Sequence, residues 1–372
     1  MTGMSVCEEE QYINTIFENV MSVRQDKFER FYNDIAEADC LIPVGEGRSQ
    51  CALYIGLSQI HKEVKTIDDI DFPGRNIEEA APILEKEYDR IALVVNSGSG
   101  ETAIPKRTVE QLVRYIEETG SDKFTIDAIV SNPNSSIGRV DRKEFGTVIE
   151  LKGRERVPNS AKEFLKHGIM NDIYELGSML LMQKTKEAIN EGLDAQAVFR
   201  KMEEEMKIVG RLIDEYVTSE QLECLIEKLE RRGHVIIGGL GPARKVARMT
   251  VIRLQHVKRA VGDEAYLAGP LAPKPRAGDI LIAISWSGET DPVLKWCEEF
   301  KAFGAYTYSI VGRPSKLSRM TESFIVRSSP VEFYERAAFL LSPLPLKLVE
   351  RLDKRGFKLP EYVMNWYHSV TH

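Results

Sequence analysis

Two stretches of this chain end in nearly the same way. Ile91 to Thr102 reads IALVVNSGSGET, and Ile280 to Thr290 reads ILIAISWSGET. In each, an apolar run breaks into Ser-x-Ser-Gly-Glu-Thr and then leads into a helical pattern. An apolar run of this length predicts a strand buried on both faces. A strand that ends in small and hydroxyl residues before a helix presents backbone N–H groups and hydroxyls together, which is geometry suited to an oxyanion or phosphate. Any fold proposed for the chain has to hold this strand-turn-helix unit twice.

The rest of the sequence can be aligned around that repeat. Gly45-Glu46-Gly47-Arg48-Ser49 follows the short apolar run Leu41 to Val44, and Gly239-Leu240-Gly241-Pro242-Ala243 follows His234 to Gly238. Gly45 then matches Gly239 and Ser97 matches Ser285. Between them, Gln59-Ile60-His61-Lys62 resembles Gln255-His256-Val257-Lys258, which places His61 and His256 in similar helical contexts. The spacing is imperfect, as expected of duplicated domains with separate insertions rather than of a short solenoid repeat. Residues 1–194 are expected to form the first domain, 195–214 a connecting helical segment, and 215–372 the second domain with its tail. The total of 372 residues suits two domains.

Between the repeats, strand and helix signals alternate. Phe124 to Val130 and Gly146 to Leu151 read as strands, as do Tyr306 to Val311 and Ser323 to Arg327. A helix is expected from Ile104 to Thr119, with Pro105 in its first turn, where proline is tolerated. Helical patterns cover 161–190, 195–232 and 332–355. Strands alternating with long helices predict parallel α/β sandwiches.

Composition narrows the function. The formal charge is −7, which argues against extended nucleic-acid binding while allowing a local basic pocket. Five cysteines with no C-x-x-C pair suggest a reduced, intracellular protein without a disulfide framework or structural zinc. No apolar run reaches the roughly 18 residues of a membrane helix. The N-terminus MTGMSVCEEEQY lacks the basic and apolar regions of a secretion signal.

In the first half, Ser97, Ser99 and Thr102 offer hydroxyls, Gly98 and Gly100 allow close backbone approach, and Arg48 and Ser49 add a charge and a hydroxyl from the other turn. This set describes a monophosphate cup. Neither G-x-G-x-x-G nor G-x-x-x-x-G-K-[ST] is present, so a nucleotide site is not indicated. In the second half, Ser285, Ser287 and Thr290 repeat the hydroxyl pattern. Trp286 adds bulk that could stack on a sugar or simply fill a core, and Pro242-Ala243 replaces the Arg-Ser pair. That cup reads equally well as a second catalytic pocket or as a degenerate or regulatory one.

Catalysis on a phosphosugar needs a proton shuttle. Glu175 and Glu335 lie on comparable apolar helices, each open to reading as a base or as a solvated carboxylate. His167 and His256 could assist at a sugar oxygen, or pack structurally. Glu101 and Glu289 suit holding the loop or capping a helix more than moving protons.

The GEGRS and NSGSGET turns, with GLGPA and SWSGET in the second half, resemble the sugar isomerase (SIS) domain family over nearly the whole chain. The resemblance implies two flavodoxin-like, three-layer α/β/α domains with central parallel sheets. It implies phosphate contacts from Ser49, Ser97, Ser99 and Thr102, and from Ser285, Ser287 and Thr290 if the second cup works. The tail Leu359-Pro360 with His368-Ser369-Val370-Thr371 is also similar to tandem members, where a lysine before Val-Thr can enter the site; here that position is Ser369. The expected function is a cytoplasmic, homodimeric aldose–ketose phosphosugar isomerase working by carboxylate-mediated proton transfer. The expected partner is a phosphorylated sugar, with no metal, redox cofactor, nucleic acid or membrane involved. The rival readings are a phosphosugar-binding regulatory or structural protein and an amino-sugar phosphate deaminase-isomerase.

Overall fold

The computed structural model describes residues 5–143, 145–154 and 170–360. His167 and Ser369 lie outside them. By internal contacts the chain divides into two units. The described residues within Thr15–Arg156 and Ile173–Glu205 form an N-terminal unit, and those within Met1–Asn14, Val157–Asp172 and Met206–His372 form a C-terminal unit.

The chain opens with helices α1 (Gln11–Met21) and α2 (Gln25–Glu37). There follow β1 (Cys40–Gly45), α3 (Gly47–Gly56), β2 (Glu63–Val64), α4 (Ile77–Glu87), β3 (Ile91–Asn96), α5 (Ala103–Thr119), β4 (Phe124–Val130), a 3-10 turn and β5 (Val148–Glu150). Helix α6 (Met170–Asn190) is the next element among the described residues. The five strands are parallel, in the order β2-β1-β3-β4-β5. β1 and β3 are buried along their whole length, as a parallel sheet covered on both faces requires. Pro43 sits inside β1, between two neighbours, where proline is normally excluded. It is accommodated because β2 pairs only with Cys40 and Leu41, leaving β1 without a strand on that side at Pro43. One core face joins Ile42, Val44, Leu93 and Val95 to Leu112 and Ile116 of α5.

Helices α7 (Ala195–Val217) and α8 (Glu220–Leu229) lead to the second sheet. Its elements are β6 (Val235–Gly238), α9 (Pro242–Ala260), β7 (Ala265–Leu267), β8 (Ile280–Ser285), α10 (Asp291–Ala302), β9 (Tyr306–Val311), α11 (Lys316–Met320) and β10 (Glu322–Ile325). Helices α12 (Pro330–Leu341) and α13 (Pro343–Lys354) follow. The strand order is β10-β9-β8-β6-β7, which read from its other edge repeats the first sheet strand for strand. Both sheets therefore have the 2-1-3-4-5 order of doubly wound flavodoxin-like folds.

One part of the sequence alignment changes. His256 lies within α9, but α3 ends at Gly56 and Gln59 takes a left-handed φ of 66°. His61 is therefore in the exposed bend beyond the helix, and the two histidines do not share a context.

Candidate functional site

In open α/β sheets, ligands bind outside the carboxyl ends of the strands, where the strand order reverses. In the N-terminal unit that point lies between β1 and β3. The chain leaves β1 through Gly45–Ser49 and leaves β3 through Ser97–Thr102, so the two turns singled out in the sequence meet at one crevice. Asn96, fully buried, ties them together: its Nδ2 donates to the Ser49 carbonyl at 3.0 Å and to Ser178 Oγ at 2.9 Å. The Tyr174 hydroxyl is shared between Asn96 Oδ1 at 2.8 Å and the Ile129 carbonyl at 2.7 Å.

The loop hydroxyls converge. Ser97 Oγ donates to Thr102 Oγ1 at 3.2 Å, and Ser99 Oγ lies 3.2 Å from the same atom. Thr102 is the N-cap of α5, yet its side chain makes no capping bond to that helix. Its hydroxyl is turned to the loop, and the first-turn N–H groups keep their positive end toward the crevice. Gly100 needs its φ of 65°, and a Cβ there would fall 1.9 Å from Ser135 Oγ. Glu101 braces the loop: Oε2 accepts from Lys106 Nζ and Ser136 Oγ, both at 2.9 Å, and Oε1 accepts from the Ser136 N–H at 2.6 Å. The Lys106 bond, followed by those from Ser136, holds its carboxyl down at about 2. Glu101 thus supports the loop and is poorly suited to carry protons near neutral pH.

Glu175 sits on α6 and is nearly buried, with Oε2 2.5 Å from Arg48 Nε. The helix presents Tyr174, Glu175 and Ser178 to the ends of β1 and β3. The structure thus brings Arg48, Ser49, Ser97, Ser99, Thr102 and Glu175 to one end of one sheet. Arg48 is 4% exposed and engages Glu175, which puts its charge beside the carboxylate.

The C-terminal unit builds the same loop. Ser285 Oγ lies 3.2 Å and Ser287 Oγ 3.4 Å from Thr290 Oγ1, and Thr290 again leaves its helix uncapped by its side chain. Gly288 has φ 62°, and a Cβ on it would meet Ser315 Oγ at 1.9 Å. Glu289 Oε1 accepts from the Lys316 N–H at 2.7 Å. The surroundings differ. Leu240, Ala243, Ile284, Trp286, Val293 and Tyr334 join the three hydroxyl residues around a cavity of about 80 Å³. Trp286 Nε1 donates to the Ser328 carbonyl at 3.0 Å, and the Arg313 guanidinium lies 4.8 Å over its ring.

Glu335 is fully buried on α12, the helix after β10, just as Glu175 lies on the helix after β5. Neither Glu335 nor the half-buried His256 is among the described residues lining the cavity. Sequence reasoning missed Asn96, Tyr174, Ser178 and Tyr334. One signal for two of them was available: Tyr174-Glu175 and Tyr334-Glu335 are the same dipeptide on equivalent helices. Among the described residues, no group of three or more His, Cys, Asp or Glu side chains is arranged to hold a metal, and no helix is long and apolar enough to cross a membrane.

No family model matches the chain. A 3-hexulose-6-phosphate isomerase from Mycobacterium gastri is 31% identical over 112 residues, covering 30% of this chain and 54% of the relative. The chain spans about half the length of the curated relatives it matches first. Solved structures align far more completely. The C-terminal domain of glucosamine-fructose-6-phosphate aminotransferase from Francisella tularensis has a TM-score of 0.60 at 15% identity, covering 91% of this chain and 93% of that one. A tagatose-6-phosphate ketose/aldose isomerase from Escherichia coli has a TM-score of 0.59 at 12% identity, covering 92% of each. This chain has the sugar isomerase fold. Each unit is one five-stranded parallel sheet with flanking helices, and the hydroxyl loop follows the central strand in both.

Proposed function

We propose that the chain is an aldose–ketose phosphosugar isomerase working from its N-terminal SIS unit. The observation that carries this reading is the meeting of a hydroxyl-lined loop at a helix N-terminus with a buried carboxylate, Glu175, at one switch point. Ser97, Ser99 and Thr102, with Ser49 from the facing turn, bind the phosphoryl group. Glu175 removes the proton from the carbon bearing the hydroxyl, leaving an enediolate. The same carboxyl returns the proton to the adjacent carbon, which was the carbonyl carbon, while a proton moves between the two oxygens. Arg48, paired with Glu175, orients the carboxylate. General acid–base transfer of this kind contributes about 10² to 10⁴ in rate. The M. gastri relative acts, by its name, on a hexulose 6-phosphate, and phosphorylated hexuloses are accordingly the first substrates to test. The cytoplasmic homodimer expected from the resemblance belongs to the same proposal.

A coupled screen of phosphorylated hexuloses, hexoses and pentoses, with amino-sugar phosphates included, tests it. Interconversion with exchange of the transferred hydrogen supports isomerisation. Saturable binding with no turnover of any compound overturns it in favour of a binding protein, and ammonia release from an amino-sugar phosphate overturns it in favour of a deaminase-isomerase. For the C-terminal cup, a binding role without turnover is the reading favoured by Pro242-Ala243 in place of Arg48-Ser49, which removes a charge and a hydroxyl while the hydroxyls of Ser285, Ser287 and Thr290 remain.

A further inference from the structure

A phosphoryl dianion calls for a cation, and at the N-terminal cup the sequence offers Arg48. In the structure Arg48 is committed to Glu175 and almost wholly buried. A second arginine lies at the loop. β5 ends at Glu150, and the chain continues as Leu151-Lys152-Gly153-Arg154. Gly153, at φ 143°, passes so close to α6 that a Cβ on it would lie 2.9 Å from the Tyr174 nitrogen. Arg154 is thereby laid across Gly98. A Cβ on Gly98 would meet Arg154 Cδ at 2.5 Å, Arg154 Nη1 at 2.9 Å and Tyr174 Cδ1 at 3.0 Å. Gly98 stands between Ser97 and Ser99, the two hydroxyl residues of the cup. The absence of a side chain at 98 is what gives the guanidinium its place there. Burial raises the Tyr174 hydroxyl well above its ordinary value, and the nearby Arg154 charge works against that rise.

The C-terminal unit shows what happens when this arrangement is exchanged. Gly98 corresponds to Trp286, and the carbonyls of both accept from the segment after the next strand: Ser131 N–H donates to Gly98 at 2.9 Å and Gly312 N–H to Trp286 at 3.0 Å. Leu151 and Val326 make equivalent bonds back to β4 and β9, so Arg154 corresponds to Ser329. The indole of Trp286 reaches the Ser328 carbonyl, the counterpart of Gly153. One unit fills this place with an arginine over a glycine, the other with a tryptophan.

We infer that Arg154 is the cation that meets the phosphoryl group in the N-terminal cup, while Arg48 positions Glu175. The inference rests on the proposed phosphosugar reading. A guanidinium suits the role because its planar fork can donate two parallel hydrogen bonds to phosphate oxygens.

Calorimetric titration of the full chain with fructose 6-phosphate, and with unphosphorylated fructose as control, tests it. Arg154→Gln should weaken fructose 6-phosphate binding by about tenfold to a hundredfold, the scale of a hydrogen bond to a charged group. Arg154→Lys should recover part of that loss, and fructose should not discriminate among the variants. Gly98→Ala, which displaces the arginine, should weaken binding in the wild-type background and add little to Arg154→Gln. Ser99→Ala separates the two levels of the argument. If Ser99→Ala weakens binding and Arg154→Gln does not, the role of Arg154 is overturned while the cup stands. If the wild-type chain binds no fructose 6-phosphate or other sugar phosphate of the screen, the cup and the role of Arg154 fall together.

Discussion

The two cups of this protein share a loop and differ in most of the side chains that the loop faces. Ser97-Gly98-Ser99-Gly100-Glu101-Thr102 and Ser285-Trp286-Ser287-Gly288-Glu289-Thr290 have matching hydroxyl contacts, left-handed glycines and bracing glutamates. Around the first lie Arg48, Glu175, Arg154 and the Tyr174–Asn96 pair. Around the second lie Ala243, Leu240, Trp286 and Tyr334, with open space between them. A loop geometry set by its own backbone can survive duplication unchanged. The chemistry is set by single positions on neighbouring elements, which are free to diverge.

The sharpest way to break this contrast is to neutralise the two equivalent carboxylates. Glu175→Gln is expected to lower kcat by about 10² to 10⁴ with sugar-phosphate binding retained. Glu335→Gln should leave kcat per folded molecule within about twofold if only the first cup turns over substrate. Equal losses in the two variants would erase the functional distinction.

Stability separates the cups next. Arg48→Met leaves Glu175 buried without this ion-pair partner, and breaking such a pair costs about 3–5 kcal/mol. Pro242, at the matching position, starts α9 without an ion pair to lose, so Pro242→Ala should cost less than about 1 kcal/mol. Urea unfolding of the two variants gives the comparison, and a near-neutral Arg48→Met would show that the pair contributes no net stability.

Where the cups are alike, the variants should agree. Gly100→Ala and Gly288→Ala each force a Cβ into a serine hydroxyl at a left-handed φ, at a cost of about 2 kcal/mol or more apiece. Thermal unfolding that spared one loop would contradict the shared geometry.

The smallest effect concerns the strands behind the loops. Asp127 in β4 is fully buried, and Tyr308 holds the matching place in β9. Burial, and then the charge of nearby Asp34, raise the Asp127 carboxyl well above the usual carboxylate range. Because the folded state holds that proton more tightly than the unfolded state, the contribution of Asp127 is present in acid and is lost as pH rises through the raised value. Asp127→Asn should therefore gain about 1 kcal/mol at neutral pH and little near pH 4. A gain that is the same at both pH values would point away from titration of this group.

Much of the fold was legible because its signals are local. Buried parallel strands read as unbroken apolar runs, and the hydroxyl loop is contiguous in sequence. The equal strand orders of the two sheets follow from the same repeated units. What was hidden depends on distant parts of the chain closing on one another. Arg48 and Glu175 meet only after four crossovers have formed the sheet, and nothing in GEGRS indicates that its arginine turns to a carboxylate. Arg154 looks like one more charge in the run Lys152-Gly153-Arg154, and only the approach of β5 to β4 sets it on Gly98. The His61 and His256 match was misleading for a different reason: similar letters fell on opposite sides of a helix end.

The braces at Glu101 and Glu289 have a kinetic consequence. Each fastens its loop to the segment after the next strand through a carboxylate that accepts from a backbone N–H of that segment, Ser136 in one unit and Lys316 in the other. The donors of the cup do not have to be gathered when an anion arrives, so little ordering entropy is spent at that moment. Capture at such a loop should be limited by diffusional encounter, with differences among ligands appearing in how slowly they leave.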